Sequence, residues 1–546
     1  MDPRRDTRWW GWGDPDESGS LNEASEAMLN EREILPESAP VLPALGDVKV
    51  PPAQPLPDSI ADLVGGTNVF TDDEDRIRHS GGQSYLDLLE RRSGVIDAAP
   101  DAVVLPADAG QIGPLLDICA GAGIAVVPFG GGTSVVGGIA PIRGDHDLVI
   151  SLDLVNLRAC DIDPVSRTAR LGAGLRGPEA EKLLGAEGFT LGHYPQSFEY
   201  ATIGGFAATR SAGQSSSGYG RFDSMVSSVR LIAPTGELST LDTPHTAIGP
   251  ALREMVIGSE GIFGVIPDVD VRIRPAPATR RYEAWIAEDF RSGNEIMRDL
   301  AQAGLLPTIA RVSDDAETRV SLASAVPSGM AGSAFKGYLR LRGRSSGSLV
   351  ILVIEGTSDH VRRTRPELAR RLRKGGAVYL GQGAGNGWSK GRFHGPYLRE
   401  TLLDRGVLVE TFETATQWSH HDELYNGVRE ATEAAMASVG MKGIVMCHLS
   451  HVYADGGSLY FTVISSPGDG GGAASWPVVK AAALDAMQAH GATLSHHHAT
   501  GRDHAPWVGG EIGDAGVSVL EAVKDRLDPT GIMNPGKLLP PRQRLR

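Results

Sequence analysis

Cysteine is scarce: the 546 residues contain three, Cys119, Cys160 and Cys447, far apart from one another. So few excludes a disulfide framework and fits a reducing cytosol. No apolar run approaches the roughly 18 residues that a membrane-spanning helix needs. Basic charge is short as well. The formal net charge is −15, whereas a nucleic-acid binder needs a basic footprint for the phosphate backbone. That balance still allows a local basic pocket for a small anion. Aromatic residues make up 6 % while Gly numbers 69, so loops and close backbone contacts should be numerous. The start, MDPRRDTRWWGWGDP, has no apolar signal core, and RQRLR at the end is neither a peroxisomal nor a retention tail. What is there is ordinary for a soluble globular chain, 41 % hydrophobic and 22 % charged, long enough for two to four domains.

Residues 1–97 read as an N-terminal extension. Its Trp-rich start leads to APVLPALGDVKVPPAQPLPDS, whose prolines predict an extended tether. Helical patches such as SYLDLLERRSG follow. From Pro100 the texture changes: AVVLPAD as a strand, AGQIGPLLDICAGAGI as an amphipathic helix, and AVVPFGGG as a buried strand entering a glycine turn make a β-α-β unit. DLVISLDLVN, RTARLGAGL and VSSVRLIAPTGEL continue as strands, with GPEAEKLLGAEG as a helix between them. A second α/β region, from about Ala276 to His490, carries helical EIMRDLAQAG and RPELARRLRK and the strands SLVILVIEG and SLYFTVIS. The tail SVLEAVKDRLDPTGIMNPGKLLP is a helix followed by a Pro/Gly-rich stretch.

PFGGGTSVVGG (Pro128–Gly138) is the most informative stretch. Consecutive glycines let backbone N–H groups approach a pyrophosphate, and Thr133 and Ser134 add hydroxyls. A tight turn between strands would read alike. Neither the nicotinamide nor the P-loop fingerprint is present. Two further small-residue loops, YATIGGFAATRSAGQSSSGYG (Tyr200–Gly220) and GSEGIFGVI (Gly258–Ile266), suggest a long cofactor threaded through one domain. In this order the loops resemble the FAD domain of the vanillyl-alcohol oxidase/p-cresol methylhydroxylase flavoproteins. WGWG near the start, FET at Phe412–Thr414, LYF at Leu459–Phe461 and SHHH at Ser495–His498 resemble one branch, the alkyl-dihydroxyacetone-phosphate synthase family.

The resemblance implies an α+β fold: an N-terminal extension (1–97), a p-cresol methylhydroxylase-type FAD-binding domain (98–277), an α/β cap domain for substrate (278–494), and a C-terminal helical segment completing the active site (495–546). It implies FAD held by Pro128, Phe129, Gly130, Gly131, Gly132, Thr133 and Ser134, by Gln196, Ser197 and Thr202, by Thr209, Arg210, Ser211 and Ala212, and by Gly258, Ser259, Glu260, Gly261, Ile262, Phe263 and Gly264. The first loop has no His or Cys, so the flavin is expected to be noncovalent. The family's catalytic tyrosine falls on Tyr460 and its three-histidine element on His496, His497 and His498. Its substrate-binding arginine falls on Arg399, in PYLRE, and a further one on Arg311, in PTIARVSDD. By themselves Tyr460 reads as a core strand residue, and either arginine as half of a solvated ion pair.

Tyrosine is a poor base in water, with a pKa near ~10, which a neighbouring cation lowers. The histidines could tune Tyr460 or hold a leaving carboxylate. If 495–499 is extended, His496 and His498 share one face and His497 the other, so the three cannot face one metal. The related flavin 2-hydroxy-acid dehydrogenases bind a metal through H-x-G-D-G-N-x-H and a later E-H-G. Here the first reads His451-Val-Tyr-Ala-Asp455-Gly-Gly-Ser-Leu-Tyr460 and the second His-His-Ala, so no metal is expected. The resemblance implies exchange of the acyl chain of 1-acyl-dihydroxyacetone phosphate for a fatty alcohol, with Tyr460 removing a proton and flavin N5 holding the substrate carbon without net redox change. The alternative is an FAD-dependent 2-hydroxy-acid or alcohol dehydrogenase or oxidase on the same scaffold. The expected setting is a cytoplasmic homodimer with peripheral membrane contact, lipid substrates and no nucleic acid.

Overall fold

Burial on both faces produces the first sheet. It comprises β1 (Val69–Phe70), β2 (Ala102–Val104), β3 (Ile124–Phe129) and β4 (Leu148–Asp153), in the order β1-β2-β4-β3. β2, β4 and β3 are parallel and β1 is antiparallel. Almost every residue of β3 and β4 is buried, the pattern of parallel strands covered on both sides. The helix Ile112–Ala122 between β2 and β3 buries Ile112, Leu115, Leu116 and Cys119 and stops at Gly123, at φ 65°. β-α-β is therefore as the sequence predicts, with β4 inserted between its two strands. The structure, a computed structural model, describes residues 4–16, 19–325, 337–344 and 346–541.

Next come β5 (Cys160–Asp163), β6 (Thr168–Gly172), β7 (Phe189–Thr190), β8 (Val226–Ala233), β9 (Gly236–Ser239), β10 (Asp268–Arg272) and β11 (Arg274–Pro275). β7 and β11 form a two-stranded ribbon, and the others an antiparallel sheet ordered β5-β6-β10-β8-β9. The cap is a seven-stranded antiparallel sheet, β15-β12-β14-β13-β17-β18-β16, made of β12 (Thr279–Ala287), β13 (Ile309–Ser313), β14 (Ser348–Gly356), β15 (Val378–Gly381), β16 (Leu408–Gln417), β17 (Gly443–Val452) and β18 (Gly456–Ser465). Period-two alternation gives this sheet two faces. Val445, Cys447 and Leu449 on β17 and Leu459, Phe461 and Val463 on β18 enter the core against helices such as Phe290–Gln302 and Gly472–Ala489. Met446, His448, Ser450, Tyr460, Thr462 and Ile464 look the other way, into a cavity.

The extended tether is found only in part. Residues 51–57 have no regular structure, but Trp9 and Trp12 are buried, and the helix Glu23–Glu31 sets Leu29 against Leu402, Val409 and Ile464. Apolar anchors on both sides of the prolines turn the stretch into a strap. At the other end, after the helix Val508–Leu527, residues 532–534 dock on β3: the Val126 N–H donates to Ile532 O at 2.8 Å and the Asn534 N–H to Val126 O at 2.9 Å. Among the described residues no helix is long and apolar enough to cross a membrane.

Candidate active site

One cavity of about 510 Å³ runs from the glycine loops to the open face of the cap sheet. Pro128–Ser134, Gln196, Ser197, Thr202, Thr209, Ser211, Ala212, Glu260, Gly261 and Gly264 line it. The glycines are dictated by close approach. A Cβ on Gly131 would lie 2.0 Å from Tyr200 O, and one on Gly130 2.4 Å from Thr202 Oγ1, so no side chain fits where the first two loops meet. Gln214, also in the wall, has a buried Oε1 without a hydrogen-bond partner. A narrow backbone loop flanked by hydroxyls and an unsatisfied amide suits a long polar cofactor, and the residues present fit FAD.

Five of the predicted cofactor residues do not reach the cavity. Arg210 sits at φ 50° and turns to Glu254 (3.0 Å) and Asp223 (3.4 Å). Its side chain lies over Gly258, where a Cβ would meet Nε at 2.7 Å; it clamps the loop from behind. Gly258 and Ser259 stay outside the lining, and Ile262 and Phe263 are core residues. Glycine-rich loops advertise backbone, and alternate side chains along them serve packing.

On the cap side Tyr460 is half-buried in the cavity wall. Its ring stacks on His448 (centroids 4.7 Å) and meets His498 (5.2 Å) and His497 (6.0 Å). Burial pushes its phenol up to about 12, with Thr411 and Arg311 pulling weakly the other way. The expectation that the histidines would lower it is corrected. Burial drives His451 and His496 well below the usual imidazole range and His498 to about 3, with further repulsion from His497. The neutral rings of His451, His496 and His498 lend Tyr460 no cation.

The extended 495–499 segment is corrected as well. Residues 496–498 form a bend. Adjacent rings therefore meet, with His496 Nδ1 3.1 Å from His497 Nδ1. His497 and His498 line the cavity, while His496 lies behind them with Nε2 on the Tyr453 hydroxyl at 2.7 Å. The bend has a cause absent from the sequence reading: Glu413. Its carboxylate accepts from the Ser495 hydroxyl (2.6 Å) and from the N–H groups of His496 (2.8 Å), His497 (2.9 Å) and His498 (2.9 Å). Ala499, in the place of the dehydrogenases' glycine, takes φ 74° to complete the turn.

His451 enters by a second device. The β17–β18 register slips between Ser450 and Val452, and His451 sits in that bulge at φ 53°. A bulge re-aims the side chain it carries. It brings His451 onto the Ser216 hydroxyl and against His496 (5.1 Å) and His497 (4.7 Å). One ring nitrogen each from His451, His496 and His497 lie within 4.8 Å of one another, so the geometric ground for excluding a shared metal is withdrawn.

The two predicted arginines both line the cavity. Arg399 donates to Gln83 O and Oε1, each at 2.8 Å, and its buried Nε has no partner. Arg311 donates to Glu317 at 2.7 Å and lies 3.0 Å from His448 Nδ1. Burial raises Glu317, but Arg311 and His448 outweigh it and keep the carboxyl ionised far below its usual range. Glu317, His448 and Gln83 were not singled out in the sequence, where they are separated and carry no motif.

Residues 100–242 match the FAD binding domain family and residues 276–538 the family described as FAD linked oxidases, C-terminal domain. A protein of Trypanosoma brucei brucei named alkyldihydroxyacetonephosphate synthase is 32 % identical over 99 % of this chain and 93 % of its own. The chain belongs to the alkyldihydroxyacetonephosphate synthase family. That family sits among the FAD-linked, p-cresol methylhydroxylase-type flavoproteins. A solved alkyldihydroxyacetonephosphate synthase superposes with a TM-score of 0.83 at 26 % identity, over 98 % of this chain and 99 % of that one. An Escherichia coli (strain K12) protein, the uncharacterized FAD-linked oxidoreductase YgcU, is 27 % identical over 88 % of this chain and 98 % of its own. The fold is thus a PCMH-type FAD-binding domain joined to an FAD-oxidase C-terminal domain.

Proposed function

We propose that this family member exchanges the acyl chain of a 1-acyl-dihydroxyacetone phosphate for a fatty alcohol, in ether lipid synthesis. The observation that carries the reading is the mixed lining of the cavity. Arg399 with its unpartnered N–H, Arg311 and Tyr460 share it with an apolar cluster that includes Val320, Leu402, Val409, Met446 and Ile464. A buried guanidinium donor suits a phosphate or carboxylate, and the cluster suits a hydrocarbon chain. FAD, when bound by Pro128–Ser134, Gln196, Thr202, Thr209 and Glu260, supplies covalent catalysis at its ring system without net redox change. Tyr460 is the proton-transfer group. Its phenol is protonated at neutral pH, so only its phenolate form accepts the substrate's proton. His497 and His498 face the leaving carboxylate. The setting of this reading is a cytoplasmic homodimer touching membrane lipid. Incubation with acyl-dihydroxyacetone phosphate and labelled hexadecanol should yield the labelled ether by mass detection; no ether product sinks the reading.

The flavin is proposed as noncovalent, because Pro128–Ser134 contains neither His nor Cys. Acid precipitation should release intact FAD to the supernatant, and a yellow pellet contradicts this. The converging nitrogens of His451, His496 and His497 favour a second reading, a metal-assisted hydroxy-acid or alcohol dehydrogenase. Hydroxy acids would then bleach the flavin under anaerobic conditions, and chelation would abolish activity that Zn²⁺ or Mn²⁺ restores. The transferase reading expects neither.

A further inference from the structure

The motifs FET, LYF and SHHH lie far apart in the sequence. The register of β16 with β18 sets Glu413 directly opposite Tyr460. Cross-strand partners project from the same face of a sheet, so the two side chains stand side by side. Phe412 and Phe461, one residue along each strand, stack at 5.4 Å in the core and fix that register.

Three consecutive backbone N–H groups and one hydroxyl converge on the Glu413 carboxylate. Successive N–H groups that point inward form an anion-binding nest. Here the anion is the protein's own, and it is fully enclosed. His497 Nδ1 lies 3.4 Å from Oε2. His451 and His496 have other nearest partners, Ser216 and Tyr453, and the His498 ring packs between those of His497 (4.7 Å) and Tyr460 (5.2 Å).

We propose that Glu413 is the positioning residue of this site: it folds the 495–498 turn over its strand neighbour Tyr460 and holds the His497 ring in place beside it. The role given to Tyr460 rests on the proposed function; the geometry of the turn does not. An amide at 413 would keep the size, lose the charge and turn an NH₂ toward donors already in place. An aspartate would keep the charge but fall short of the turn.

The test uses the flavin-loaded full chain. Glu413→Gln should keep its flavin and melt as one unit, because the glycine loops lie in the other domain. Its kcat should fall roughly 10²-fold, the scale of a displacement near 1 Å, with KM nearly unchanged since Arg399 and Arg311 are untouched. In ¹⁵N spectra of histidine-labelled protein, the His497 ring signal, assigned by His497→Gln, should move in Glu413→Gln because its carboxylate neighbour is gone. Glu413→Asp should recover that signal partly and kcat only weakly. If Glu413→Gln is not folded, Ser495→Ala, which removes one donor to the carboxylate, should shift the same signal and lower kcat less. Wild-type spectra in Glu413→Gln or Ser495→Ala, or wild-type kcat in Glu413→Gln, overturn the proposal. If the wild type makes no ether product at all, the proposed function fails while the imidazole spectra still decide the role of Glu413.

Discussion

The two halves of the cavity are built on different principles. The flavin side is written in backbone: Gly130, Gly131 and Gly132 are contiguous, and each is required because a Cβ would strike the second loop or Phe129. The cap side is written in register: Tyr460, Glu413, His451 and His496–His498 come from three strands and a turn, and none requires its sequence neighbours. Steric exclusion leaves a local mark in a sequence, and cross-strand pairing does not.

Substitutions should separate the halves. The largest effect is expected from Gly131→Ala, whose new methyl would lie 2.0 Å from Tyr200 O. Neither loop can give way without breaking the other, so the protein should purify without flavin, seen as loss of the yellow visible absorbance. Tyr460→Phe should do the opposite and keep the flavin. Packing is nearly conserved, and turnover should fall roughly 10²- to 10⁴-fold, the range of one acid/base group. If Tyr460→Phe loses flavin instead, the two halves are not independent.

Arg399→Ala should come next. Loss of a charged partner from a buried anion costs at least about 2 kcal/mol, roughly 30-fold in KM, with kcat less affected. Equal losses in both constants would move Arg399 into the chemical step. The smallest effect concerns Glu260, which joins the halves by accepting the N–H groups of Thr500 (2.8 Å) and Gly501 (2.7 Å). Burial pushes it up to about 7. Its folded pKa lies above the unfolded value near ~4.3, so the folded state holds the extra proton between those limits. Stability from this group is complete below about pH 4.3 and is lost as the pH rises through about 7. Glu260→Gln should flatten the fall in melting temperature over that window in flavin-free protein; an unchanged slope removes Glu260 as its source.

How much was legible follows the same division. β-α-β at residues 102–129, SLVILVIEG and SLYFTVIS appear where periodicity predicts them, because a buried strand or an amphipathic helix carries its own pattern. Family resemblance placed Tyr460, His497, His498, Arg311 and Arg399, and all five line the cavity. His496 was placed in the right element but on the wrong side, since an extended strand was assumed where Glu413 makes a bend. Arg210 stands between cavity-lining Thr209 and Ser211, yet its side chain turns away to Glu254 and Asp223, a direction that sequence position does not reveal. His451 was visible, but a single-residue bulge decides where it points, and alternation cannot reveal an exception to alternation.

The docking of residues 532–534 on β3 has a consequence for biosynthesis. β3 leads straight into the pyrophosphate loop, yet the backbone partners of Val126 are Ile532 and Asn534. Most of the chain is translated between them, a delay on the order of tens of seconds at roughly 5–20 residues per second. Until the tail leaves the ribosome, the β3 edge is unpaired and open to wrong partners. A nascent chain must therefore keep that edge from wrong partners until residues 532–534 have emerged.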